Sequence, residues 1–159
     1  MRGLSPLLAA LATLPFLATA SLAASPDAAG VWLTDDGEAA VEFKACPEGL
    51  CGTIVWLKTP LDEGQPAQDD NNPDASLRSR PLCGLPIVGG LRRNGDRLDG
   101  GWIYDPESGR RYQLVIRQHE REALDVTAYM GVEALGQTVA WHRAPAGQER
   151  CAPPAKAGR

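Results

Sequence analysis

From Gly30 onward the chain alternates short apolar-rich runs with turn-forming residues, the pattern of strands joined by tight connections. Residues 39–46 show the period most clearly, with Val41 and Phe43 on one face and Glu42 and Lys44 on the other. That is the two-residue repeat of a half-buried strand. Residues 51–57 are more continuously apolar, as expected of a strand covered on both sides. Further runs lie at 30–34, 86–92, 97–104, 111–118, 123–130 and 137–143. The turns between them include Asp35-Asp36-Gly37, Asn94-Gly95-Asp96, Asp105-Pro106-Glu107-Ser108-Gly109 and residues 119–122. Connections this short pair neighbouring strands antiparallel. The chain is therefore predicted to be all-β, with about eight strands in up-and-down antiparallel order, the number at which a sheet can close into a barrel. An open, curled sheet fits the same pattern.

One connection breaks the rhythm. Residues 58–80 are polar and rich in Pro, Asp and Asn, the composition and length of a lid or binding loop. Within it Asn72 is placed to cap a helical turn, Pro73 suits the first helical position and Asp74 favours the positive end of the dipole. A short helix over 73–79 is expected. After Arg143 the sequence is rich in Pro and Ala, and a disordered tail is expected except where Cys151 holds it.

The N-terminal segment stands apart. Arg2 precedes an apolar stretch broken by Pro6 and Pro15 and followed by Ala18-Thr19-Ala20 and Ser21-Leu22-Ala23, the layout of a secretory signal peptide. The stretch is short and proline-broken for a retained span. The expected organisation is a signal peptide at 1–23, a barrel domain at 24–146 and a disulfide-tethered tail at 147–159, with no membrane span after cleavage. The net charge of −4 is mixed in sign along the chain, so no basic stripe offers itself to nucleic acid or to an anionic membrane surface.

All four cysteines, Cys46, Cys51, Cys83 and Cys151, follow the leader. An even count in an exported chain reads as two disulfides, although four cysteines allow three pairings. Cys46 and Cys51 flank the turn-like Pro47-Glu48-Gly49-Leu50 and face each other across a hairpin; Cys83 with Cys151 follows by elimination. Zinc is disfavoured because paired Cys-x-x-Cys spacing is missing.

Gly30-Val31-Trp32 opens the barrel region and Trp141-His142-Arg143 ends its last run. This resembles the lipocalin or calycin arrangement, in which a first-strand Gly-x-Trp packs beneath a last-strand arginine; it implies a structural seal. More specific is the run Asp69-Asp70-Asn71-Asn72-Pro73-Asp74, with Leu77-Arg78-Ser79-Arg80-Pro81-Leu82 and Gly84-Leu85 after it. With Gly52-Thr53-Ile54-Val55-Trp56-Leu57, Gly100 to Gly109, Tyr112 and Gly131, it resembles the exported bacterial family designated domain of unknown function 2147. The resemblance covers nearly the whole region after the leader. It implies a lipocalin-like barrel and a periplasmic or secreted location, and it implies no reaction, ligand or catalytic residues.

The candidate ligand-binding residues are Asp70, Asn72, Arg78, Arg80, Trp56, Trp102 and Tyr104. In the functional reading a polar lid covers the barrel mouth, with Arg78 and Arg80 holding a carboxylate or phosphate bidentately. In the structural reading Asp70 and Asn72 shape the loop through backbone bonds and an arginine pairs with Asp70 or Asp74. Trp56, Trp102, Tyr104 and Tyr129 are candidates to line an interior or a mouth, although strand aromatics are usually core. Asp70, Asn72 and Asp74 have the spacing of a calcium loop, but Ala75 and Pro81 replace its glycine and closing glutamate. No metal or cofactor is expected.

Catalytic patterns fare worse. His119-Glu120 lacks the second histidine of a zinc-protease motif, and Gly-x-Ser-x-Gly is absent. A carboxylate pair among Asp69, Asp70, Asp74 and Glu107 is the remaining hydrolase reading. The sequence favours a small, partly apolar or amphipathic ligand bound in or at the mouth of a barrel. A non-catalytic envelope interaction module, its protein partner unspecified, is the alternative, with a carboxylate-based hydrolase third.

Overall fold

The computed structural model describes residues 28–151; the leader expected at 1–23 and the end of the tail lie outside the described residues. The alternating runs form strands β1 (Gly30–Leu33), β2 (Ala39–Cys46), β3 (Gly49–Leu57), β4 (Leu61–Asp62), β5 (Gln65–Pro66), β6 (Pro86–Asn94), β7 (Arg97–Asp105), β8 (Arg110–Glu120), β9 (Ala123–Tyr129) and β10 (Gln137–Arg143). Eight of them close an antiparallel barrel in the order β1-β10-β9-β8-β7-β6-β3-β2. The sheet is closed rather than open, because β1 pairs with both β2 and β10. Closure removes the edges on which another chain could pair.

The two ends of the barrel differ. At one end the hairpins turn in two residues: Pro47-Glu48, Gly95-Asp96 and Arg121-Glu122. At the other end lie the longer connections 34–38, 58–85, 106–109 and 130–136. The tight end is packed solid: Trp32, Phe43, Leu91, Ile116 and Leu124 are all buried, and Phe43 stacks on Trp141 with centroids 6.0 Å apart. Trp32 closes this end. Its Nε1 donates to the Ala28 carbonyl at 2.9 Å, and the Arg143 guanidinium lies 4.2 Å from the ring centroid. Arg143 Nη1 also donates to the Ala29 carbonyl at 3.3 Å. The Gly-x-Trp and terminal arginine therefore meet as the resemblance implied.

Both disulfides form as expected, Cys46–Cys51 across the β2–β3 hairpin and Cys83–Cys151 from the long loop to the tail. The tail corrects the sequence reading. Residues 144–151 are strapped across the outer wall rather than loose: Ala144 N–H donates to Val31 O, Arg150 grips Glu42, and Cys151 N–H donates to Val55 O. Pairing in the sheet lines up Val31, Glu42 and Thr53, so the strap crosses β1, β2 and β3 in turn.

Arg150 meets Glu42 with both terminal guanidinium nitrogens, Nη2 at 2.7 Å and Nη1 at 3.0 Å, and Lys44 lies 2.7 Å away. The Arg150 bond, aided by Lys44, holds the Glu42 carboxyl down at about 2 against an ordinary 4.5. A carboxyl depressed on folding contributes stability above its ordinary value and loses it as pH falls through the folded value. Acidification from about pH 4.5 towards pH 2 is therefore expected to remove about 1 kcal/mol through this half-exposed pair. Thermal midpoints across that window should fall less in Glu42→Gln than in the parent.

The long connection is also more ordered than expected. β4 and β5 pair as a hairpin, Gln68 bridges Pro81, and Leu82 N–H donates to Ala67 O at 2.9 Å. The helix expected over 73–79 shrinks to a 3₁₀ turn, Ala75–Leu77, and its cap is Asp74 rather than Asn72. Asp74 Oδ1 accepts from Ser76 N–H and Oγ–H, while Asn72 Oδ1 accepts from Asp74 N–H. Asn72 thus shapes the turn two residues before the cap, and only Arg78, Ser79 and Arg80 separate the 3₁₀ turn from Pro81.

Candidate functional site

The open end holds the site. A cavity of about 370 Å³ enters the barrel there, within the ~300–1,000 Å³ of small-molecule sites. Its walls are apolar: Ile54, Leu57, Ile87, Ile103, Val126 and Val139. Trp141, backed by Phe43, is the lining residue deepest along β10. The barrel is therefore solid in its tight half and hollow in its open half.

The charged side chains that line this cavity are all carboxylates: Asp36, Glu38, Asp105 and Glu107. They come from the β1–β2 connection, from the last residue of β7 and from the turn after it. Asp36 Oδ1 accepts from Thr34 Oγ1–H at 2.6 Å and Glu38 N–H at 2.9 Å. The Thr34 bond leads the effects that hold the Asp36 carboxyl below its ordinary value. Glu38 pairs with Lys58 at 2.6 Å. Asp105 shapes its own turn, accepting from Glu107 N–H at 3.0 Å and Ser108 Oγ–H at 2.5 Å.

Beside the mouth, the central motif builds a clasp. Asp69 is buried, and its carboxylate accepts from Tyr104 Oη–H at 2.6 Å, Asn72 Nδ2–H at 2.8 Å and Arg80 Nε–H at 2.8 Å, with Arg80 Nη2 at 2.7 Å. Burial, then the Asp69 bond, pushes the Tyr104 phenol up, so Tyr104 keeps the proton it donates. Asn71 Nδ2 reaches the Glu107 carbonyl at 2.9 Å. Gly109 packs against Asn71 with φ of 65°, where an added Cβ would fall on the Asn71 carbonyl oxygen. These contacts fasten the long loop to β7 and to the β7–β8 turn.

The candidate residues separate accordingly. Asn72, Arg80, Trp102 and Tyr104 share a second hollow on the outer wall, with Arg111 stacked 4.0 Å from the Trp102 ring centroid. Arg80 serves Asp69, neither Asp70 nor Asp74, so the expected partner is corrected by one residue. Arg78 Nε donates to the Asn72 carbonyl at 2.8 Å, and Asp70 is exposed. Of the four aromatic candidates, Tyr104 alone lines the main cavity; Trp56, Trp102 and Tyr129 do not. The reason for Trp56 is a bulge: Ala40 faces Trp56 while Val41 faces Ile54, so Val55 is the extra residue. A bulge switches faces beyond it, and Leu57 lines the cavity in place of Trp56. Trp102 instead lies across Gly89, where an added Cβ would sit 2.6 Å from its ring.

His142, on β10, is exposed near the tight end, and His119 Nδ1 lies 3.3 Å from Asp125. Among the described residues no group of three or more His, Cys, Asp or Glu is placed to hold a metal ion, and no helix is long and apolar enough to cross a membrane. Sequence reasoning missed Trp141, Tyr112 and Gln137 as lining residues. The signal for two of them was present: Gln137, Val139 and Trp141 alternate on one strand face.

None of the curated proteins compared with the chain matches it. Among solved structures the barrel is similar to protein HP1028 from the human pathogen Helicobacter pylori, described as belonging to the lipocalin family. The likeness has a TM-score of 0.64 at 21% identity, covering 74% of this chain and 82% of that one. It shows a lipocalin-like fold. A family model spans residues 30–143, the whole ring from β1 to β10. The chain belongs to the family described as uncharacterized protein conserved in bacteria (DUF2147).

Proposed function

We propose that this protein binds a small, partly apolar molecule in the open half of its barrel, after export to the periplasm or beyond. The observation that carries the reading is the apolar cavity of about 370 Å³ above a solid floor. The signal-like leader and the two disulfides support an oxidising compartment. Native mass spectrometry of protein purified from its own envelope is expected to show a retained small molecule. The neutral fluorophore N-phenylnaphthylamine should bind in its place and respond to Trp141. Val139→Phe, which fills the cavity, should weaken that binding by about tenfold or more. A protein that carries no adduct and leaves the fluorophore silent would overturn the reading.

A second reading, a protein-interaction module, is favoured by one observation. Met130, Val132 and Leu135, in the β9–β10 connection beside the mouth, are 65%, 57% and 83% exposed. Crosslinking in the envelope should then capture a partner through this loop, and Leu135→Glu should abolish the capture.

A further inference from the structure

The cavity has a sign as well as a shape. Asp36, Glu38, Asp105 and Glu107 contribute to its lining, and neither lysine nor arginine does. Lys58 lies near but is taken by Glu38 at 2.6 Å. Arg110 faces Asp105 in the β7–β8 register, yet it does not line the cavity. The bonds to Asp36 and Asp105 come from neutral donors, Thr34 and Ser108 hydroxyls and two backbone N–H groups. Neutral donors favour the ionised carboxylate and leave its charge in place. Apolar wall from Ile54, Leu57, Ile103 and Val139 leads down to Trp141.

A molecule that fills this space buries its apolar part first and leaves its polar end among the carboxylates. An anionic head would meet like charge from Asp36, Glu38 and Glu107, exposed at the rim, and from the half-buried Asp105, an opposition that is strongest at low salt. A cationic head would meet the negative charge of Asp36, Asp105 and Glu107, which make no ion pair among the described residues, whereas Glu38 is held by Lys58. We propose that the ligand is an amphiphile with an apolar body and a cationic head, of the alkylammonium class rather than the fatty-acid class. The inference rests on the binding reading above and adds the chemical class of the ligand.

The test displaces N-phenylnaphthylamine with octylammonium, octanol and octanoate, at neutral pH and low salt and below micelle formation. Octylammonium is expected to bind at least about tenfold more tightly than octanoate, with octanol between them. Added salt should narrow the gap. In Asp36→Asn/Glu107→Gln the ratio should fall towards one, because two of the carboxylate charges are gone while the asparagine oxygen still accepts from Thr34 and Glu38. Octanoate binding as tightly as octylammonium would overturn the charge assignment while leaving the pocket standing. An unchanged ratio in the double variant would do the same. Failure of the fluorophore and all three probes to bind would remove the pocket itself, and the assignment with it.

Discussion

Asp69→Ala is expected to destabilise the protein by about 3 kcal/mol, because it removes a fully buried carboxylate from a half-buried ion pair and from two buried neutral donors. The substitution takes the carboxylate acceptor from the Tyr104 hydroxyl and the half-buried Arg80 guanidinium, and one of the two acceptors of the Asn72 amide, whose Nδ2 also reaches Tyr104 Oη at 3.1 Å. A buried donor left unsatisfied costs more than its bond contributed. Tyr104→Phe removes one donor to Asp69 and one acceptor of Asn72, leaves the Asp69–Arg80 pair intact, and should cost about 1–2 kcal/mol. Urea denaturation of the two variants checks the ordering. Limited proteolysis adds a local readout: Asp69→Ala should become susceptible within 58–85, because that segment is fastened to the barrel through Asp69. An Asp69→Ala loss below that of Tyr104→Phe would show that the clasp does not hold the loop.

Trp32→Ala should cost a further class of energy, about 3–5 kcal/mol from an emptied core position. Trp32 is fully buried, bonded to Ala28 and covered by Arg143. Its removal deletes the floor plate of the tight end and leaves the cation above it without a ring. Trp32→Phe keeps a π face and most of the volume and should lose less, although Ala28 then lacks its donor. Equilibrium unfolding by urea, followed through the remaining tryptophans, measures both. A loss in Trp32→Ala no greater than in Trp32→Phe would mean that the seal does not depend on the indole.

The body of the fold was legible in the sequence because its signals are local. Val41 and Phe43 alternate with Glu42 and Lys44, short turns separate the runs, and β10 matches its predicted bounds, 137–143. The Trp32–Arg143 meeting, distant in sequence, was legible through the resemblance to the lipocalin arrangement of a first-strand Gly-x-Trp and a last-strand arginine. The site was less so. A bulge leaves no mark in composition, so Trp56 and Leu57 could not be assigned to their faces from alternation. Asp69 and Asp70 are chemically equivalent neighbours; the Gln68–Pro81 bridge decides which one is buried. The carboxylates at the mouth come from two turns some seventy residues apart, roughly residues 36 and 107. Each turn reads alone as ordinary polar loop.

One feature of the ring governs how it comes apart. Its first strand is only Gly30–Leu33, and the junction with the last strand rests on Trp32↔Arg143 and Leu33↔His142. Every other junction is a hairpin or is joined by a connected loop, so this is where two distant parts of the polymer must find each other. Such a join forms late and parts early. The indole–guanidinium stack straddles it, and the strap that crosses from β1 to β3 ends in a covalent knot at Cys83. Reducing conditions would thus loosen the ring at its zipper, far from the bond that is cut.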